Sequence, residues 1–160
     1  VNELIVIVMG SKADEELGLK VKEAAEALGV QVELRIASAH KSTPYLLQMI
    51  DEYDSKNRKV VYIAVAGRSN ALVGVIDGNS SNPVITCPNI SKELHKIDIF
   101  SSLRMPSGIA PAVILEPESA ALMAVKILAQ YNDDLKKKVK DLQQKNLRKI
   151  SKDDEELKRK

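Results

Sequence analysis

The chain has 160 residues, 44% hydrophobic and 29% charged, with four tyrosines, one phenylalanine, no tryptophan and one cysteine. That length fits a single domain, which at about 150 residues buries roughly 70% of its unfolded surface and needs no disulfide or metal to fold. So few isolated rings exclude a base-stacking platform for single-stranded nucleic acid. The net charge of +2 is uneven: residues 133–160 hold 11 Lys+Arg against 7 Asp+Glu, and the preceding 132 residues hold 13 against 15.

In chain order, Leu4–Met9 is a short continuous apolar run ending at Gly10, the pattern of a strand buried on both faces. Asp14 to Leu28 predicts a helix, with Leu17, Val21, Ala24, Ala25 and Leu28 on one face and Gly29 as its stop. Val32–Ala37 is a second strand. Thr43-Pro44 opens a second helix, since proline suits the first helical position, and Leu46, Leu47 and Ile50 are its expected inner face. Lys59–Ala66 is a third strand, followed by a helix over about 69–77 and a short strand at 83–86. Ile90–Met105 gives no clear pattern. Ala110–Leu115 reads as a fifth strand, placed at an edge or irregular by Pro111. Glu118–Gln130 is an apolar, Ala-rich helix.

Strands alternating with helices predict an α/β fold: a three-layer, doubly wound parallel sheet of flavodoxin-like or Rossmann-like form. A C-terminal helical extension follows. The division is a core over 1–131 and a charged helix and tail over 132–160. Leu135, Val139 and Leu142 form a thin apolar stripe on that helix, and Ser151–Lys160 is almost all charge. The stripe belongs either to a solvated helix with a frayed end or to a contact with a neighbouring subunit. Interspersed acids and the lack of aromatics argue against the tail as a nucleic-acid contact. No apolar run approaches the ~18 residues of a membrane span, and Val1–Gly10 lacks a basic flank, so neither a membrane nor a secretory route is expected. One cysteine suits a reducing cytoplasm.

Ligands of open α/β sheets bind beyond the carboxyl ends of the strands. Three strand ends here share one character. The first runs into Gly10-Ser11-Lys12-Ala13-Asp14, the second into Ser38-Ala39-His40-Lys41, the third into Ala66-Gly67-Arg68-Ser69-Asn70. Small residues let backbone amides approach a ligand, and hydroxyls and cations behind them suit a phosphorylated, hydroxyl-bearing molecule. Each segment alone also reads as a turn with a helix cap; their convergence favours a site. No P-loop or dinucleotide fingerprint is present, which argues against ATP and NAD-type cofactors. His40, His95 and Cys87 stand at no metal-ligand spacing, so no metal is expected. Cys87 reads as a buried core thiol and His95 as a surface residue. His40 is the acid/base candidate, because imidazole titrates near neutrality.

Four motifs in order, Met-Gly-Ser-x-x-Asp at 9–14, Ser-Ala-His-Lys at 38–41, Ala-Gly-Arg-Ser-Asn at 66–70 and Ser-Ser-Leu-Arg-Met-Pro-Ser-Gly at 101–108, resemble the PurE family of purine biosynthesis. The resemblance spans about residues 4–130. Its third and fourth motifs are similar to the branch that adds free CO2 to 5-aminoimidazole ribonucleotide, including the carboxylase part of the animal bifunctional enzyme. The N-carboxyaminoimidazole ribonucleotide mutase branch carries a histidine in the third loop, which is absent here.

The resemblance implies a carboxylase that needs no cofactor, with His40 moving the proton. Ser11 and Lys41 are implied for the phosphate and Asp14 for the ribose hydroxyls. Gly10, Ser38, Ala39, Ala66, Gly67 and Ser69 would frame the base and CO2, with Asn70, Met105 and Pro106 as a weaker extension of the CO2 pocket. Arg68 would act on the phosphate or on the new carboxylate. Ala13 departs from the serine of many members, and Lys41 from the arginine usual in the mutase branch. Family members usually assemble as homo-octamers, and the cytoplasm is the expected compartment. Two rivals stand beside this reading: the mutase, and a non-catalytic binder of a phosphorylated ligand, since fold alone does not fix activity.

Overall fold

The computed structural model describes residues 2–91 and 96–159; His95 lies outside them. Five strands, β1 (Glu3–Met9), β2 (Gln31–Ile36), β3 (Lys59–Val65), β4 (Val84–Thr86) and β5 (Ala112–Val113), form one sheet in the order β2-β1-β3-β4-β5. Every pairing is parallel. The chain is thus α/β and doubly wound, in the flavodoxin-like strand order, with its switch point between β1 and β3.

The continuous apolar runs are explained by burial on both faces. Alternate residues of β1 and β3 (Ile5, Ile7 and Met9 with Val61, Ile63 and Val65) pack under α1 (Glu15–Ala27) and α5 (Pro117–Leu128). The intervening set (Leu4, Val6 and Val8 with Val60, Tyr62 and Ala64) packs under α2 (Thr43–Asp54) and α3 (Ala71–Asn79). Each fully buried aliphatic side chain of this kind contributes roughly 1.5–3 kcal/mol. A polar residue anywhere in Leu4–Met9 would therefore face one core or the other.

Several expectations are refined. The inner face of α2 is Leu46, Met49, Ile50 and Tyr53, whereas Leu47 is 36% exposed, because it lies about one-quarter turn off that stripe. The segment without a clear pattern contains a short helix, α4 (Ile99–Leu103). β5 is only two residues long and sits at the sheet edge, as Pro111 foretold.

The extension is one helix, α6 (Asp133–Lys158), which starts where Asn132 Oδ1 accepts from the backbone N–H groups of Asp134 and Leu135. Leu135 and Val139 do not await a neighbour: both are buried against this chain's own α1–α5 core. The helix continues through the charged end, past Ser151 to Lys158. No helix among the described residues is long and apolar enough to cross a membrane.

Candidate functional site

β1 and β3 run side by side to their carboxyl ends, where the Gly10 N–H donates to the Val65 carbonyl at 3.0 Å. Ala37 N–H ties β2 to the Met9 carbonyl at 2.9 Å. The three strand ends therefore open together into one cleft of about 670 Å³. Gly10, Ser11, Ala13 and Asp14 line it from the first strand end. Ser38, Ala39, His40 and Lys41 line it from the second, and Ala66, Gly67, Arg68 and Ser69 from the third. Residues spread over 60 positions of sequence thus meet at the switch point, the site that strand order alone selects.

Side-chain hydrogen bonds hold the first two lining segments. Asp14 is 6% exposed, and its Oδ2 accepts from Ser11 N–H (3.0 Å) and from the Ser11 hydroxyl (3.2 Å). Its Oδ1 accepts from Asn89 Nδ2 at 2.9 Å, a strut from the end of β4 to the end of β1. A carboxylate offers about four acceptor positions, so one remains for a ligand hydroxyl.

The histidine turn is closed by two serines. Ser38 N–H donates to Ser42 Oγ (2.9 Å), Ser42 N–H donates to the Ser38 carbonyl (2.9 Å), and Lys41 N–H donates to Ser38 Oγ (3.2 Å). This holds the backbone of His40 still while its side chain stays exposed at the cleft. Among the described residues no carboxylate forms an ion pair with Lys41 or Arg68, and both residues line the cleft.

Gly67 is required by space: a Cβ there would lie 2.2 Å from the Asn89 carbonyl oxygen, and backbone cannot yield that distance. Asn89, Ser91 and Leu72 also line the cleft and were not anticipated. Asn89 was findable, because Thr86-Cys87-Pro88-Asn89 repeats at the fourth strand end the pattern of small or rigid residues followed by a polar one.

Asn70, Met105 and Pro106 do not join His40. They line an adjoining groove of about 460 Å³ along α3. Asn70 is 2% exposed because its amide turns inward, donating to Thr86 Oγ1 (2.8 Å) and Ser102 Oγ (3.1 Å). Gly74 and Gly78, lacking side chains, let Met105 and Ile109 lie close on the same helix. Cys87 is fully buried, and burial, then the Glu116 and Glu118 carboxylates, push its thiol up to about 11, which makes it inert as a nucleophile at neutral pH.

The fold and the cleft define a doubly wound protein with an anion-ready, hydroxyl-rich pocket at its switch point, lined by the imidazole of His40. Comparison with known proteins narrows this class. The family model described as AIR carboxylase matches residues 4–149, and the chain belongs to that family.

A phosphoribosylaminoimidazole carboxylase of Treponema denticola is 42% identical over 156 residues, 98% of each chain. One from Archaeoglobus fulgidus is 46% identical over 95% of this chain and 83% of its own. The bifunctional phosphoribosylaminoimidazole carboxylase/phosphoribosylaminoimidazole succinocarboxamide synthetase of Drosophila melanogaster is 42% identical over 82% of this chain and 30% of its own length. A crystal structure of Treponema denticola PurE is similar with a TM-score of 0.95 at 42% identity, covering 98% of this chain and 99% of that one. The family read from the four motifs, an enzyme family of carboxy-lyases, is therefore the right one.

Proposed function

We propose that the cleft carboxylates 5-aminoimidazole ribonucleotide directly with CO2, a carboxy-lyase step of purine biosynthesis that yields 4-carboxy-5-aminoimidazole ribonucleotide. The observation that carries this reading is the meeting of His40, Lys41, Arg68 and the small residues of three strand ends in one cleft. The relatives named phosphoribosylaminoimidazole carboxylase support it.

The substrate supplies much of the reactivity. Its ring carbon beside the amine-bearing carbon is enamine-like and attacks the carbon of CO2; a C–C bond forms and a C=O electron pair moves onto oxygen. The ring carbon is then tetrahedral and still holds its hydrogen. His40 accepts that proton, the C–H pair restores the aromatic ring, and the proton passes to water. Atoms and charge balance with neither ATP nor metal. A positioned general base of this kind contributes typically ~10²–10⁴-fold.

Lys41 takes the phosphate, its ammonium acting as a point charge on a flexible stem, together with Ser11, whose hydroxyl turns from Asp14 Oδ2 to donate to the ligand. Asp14 uses its remaining acceptor position for a ribose hydroxyl. A carboxylate would repel a phosphate, whereas a ribose diol can donate to it. Gly10, Ser38, Ala39, Ala66, Gly67 and Ser69 frame the base and the CO2. Arg68 serves the phosphate or the new carboxylate.

The reading assigns this chemistry to residues 1–131, which is supported by the described residues that line the cleft, none of them from α6. The family resemblance supports a cytoplasmic homo-octamer. The test is an ATP-free reaction of the purified protein with 5-aminoimidazole ribonucleotide and bicarbonate-derived CO2. Ring-carboxylated product is expected. Turnover of the N-carboxylated compound alone would make the protein a mutase, and no turnover of either would make it a binder.

A further inference from the structure

The turn that presents Gly67, Arg68 and Ser69 to the cleft is not self-supporting. Arg68 has φ +57°, a left-handed backbone that a residue with a β-carbon holds only when its surroundings compensate. The compensation comes from about thirty residues further along the chain. Asp98 Oδ2 accepts from Arg68 N–H (3.3 Å) and from Ser91 N–H (2.9 Å). Ser101 Oγ accepts from Asn70 N–H (3.0 Å) and has the Arg68 carbonyl (2.9 Å) as an acceptor for its own proton, with the Asp98 carbonyl as the alternative. Two side chains, one just before α4 and one inside it, thus satisfy three backbone groups of the turn and one of the neighbouring cleft segment. Neither Asp98 nor Ser101 lines the cleft.

We infer that Asp98, seconded by Ser101, is a positioning residue that clips the Arg68 turn and the Ser91 segment into the arrangement that binds substrate. The physical reason is preorganisation. With the clip intact, the turn meets the ligand already ordered. Without it, Arg68 relaxes towards ordinary backbone geometry, and part of the binding energy goes to restoring the turn. Such a loss falls on substrate affinity and spares the chemistry at His40, which stands on a different turn. Ordinary loss of folded protein does the opposite, lowering apparent kcat with KM unchanged.

This inference rests on the carboxylase reading, and the two fail in distinguishable ways. Failure of that reading shows as absent turnover in the parent enzyme. Failure of the clip shows only in variant against parent, and calorimetric Kd for 5-aminoimidazole ribonucleotide reads the clip even if turnover is absent. The experiment compares KM, kcat and Kd for that nucleotide, at saturating CO2, in the full-length parent, Asp98→Ala, Asp98→Asn and Ser101→Ala.

Asp98→Ala is expected to raise KM and Kd about tenfold with kcat within threefold; tenfold corresponds to about 1.4 kcal/mol. Asp98→Asn keeps an oxygen acceptor at the same place and is expected to stay within threefold of the parent. If Asp98→Ala does not fold, Ser101→Ala carries the test, with KM and Kd expected to rise at least threefold. Unchanged KM and Kd in the alanine variants, or Asp98→Asn as impaired as Asp98→Ala, would overturn the clip.

Discussion

At the amino ends of the strands Tyr62, Ser80 and Asn82 all donate to Asp54, at 2.7, 2.6 and 2.9 Å, while Arg58 reaches the Glu3 carbonyl at 3.3 Å and Gln31 Oε1 at 2.9 Å. At the carboxyl ends a similar stock of hydroxyls, amides, carboxylate and cations surrounds an open cleft, with His40, Lys41 and Arg68 turned towards it. Composition does not separate the two ends; orientation does, for Asp54 takes three donors from within the protein while His40, Lys41 and Arg68 line the cleft. A polar group whose partners lie within the protein stabilises the fold, whereas one left facing a cleft is available to a ligand. Cys87 sharpens the point, since it sits at the same end as the cleft yet points into the core and takes no part in the chemistry.

Among changes that leave His40 in place, the largest effect should come from closing the space that keeps the open end open. In Gly67→Ala the new Cβ collides with the Asn89 carbonyl at 2.2 Å and drives the third and fourth strand ends apart. A misplacement near 1 Å at a reacting centre costs about 10²-fold, so kcat/KM should fall by that order, with stability lower by about 1–3 kcal/mol in urea unfolding. Parental kcat/KM in this variant would show that the Gly67–Asn89 contact does not shape the site.

The closed end should behave in the opposite way. Asp54→Ala strips the acceptor from three donors, one of them on the fully buried Tyr62. Stability should drop by about 1–3 kcal/mol while KM and kcat stay within twofold. A selective loss of turnover with stability intact would mean that this end, too, serves the reaction.

The smallest effect is a titration. The Cys87 thiol has an ordinary value of 9.0 and is held up to about 11 in the folded chain; burial, with Asp54 beside it, moves the Tyr62 phenol in the same direction. Below pH 9 the thiol is protonated in both states. Between about pH 9 and 11 the unfolded chain ionises first, so the unfolded state gains and stability falls as pH rises. The urea midpoint should therefore decline across that window, and Cys87→Ala should flatten part of the decline. An equally steep decline in the variant would place the linkage elsewhere.

Local features were readable in the sequence and long-range ones were not. The runs in β1 and β3 announce burial on both faces because every residue of such a strand meets a core. Pro111 announces an edge because it cannot donate to a central ladder. The polar turns after β1, β2 and β3 announce the cleft because each is contiguous. In contrast, Leu135 and Val139 display a stripe without revealing that their partner is the chain's own α1–α5 layer. Asn89 works through Asp14, 75 residues away, and Asp98 through Arg68, 30 residues away; no spacing rule reports such pairs. Met105 and Pro106 belong to a motif with the cleft residues, yet packing on Gly74 and Gly78 assigns that segment to the next groove.

Among the described residues His40 is the imidazole at the open end. The direct measurement is turnover and calorimetric binding of 5-aminoimidazole ribonucleotide by the parent and by His40→Asn, side by side. Turnover should fall by about 10²–10⁴-fold with Kd within threefold, since the substituted group moves a proton and the phosphate and ribose are held elsewhere. Carboxylation at the parental rate by His40→Asn would contradict the account.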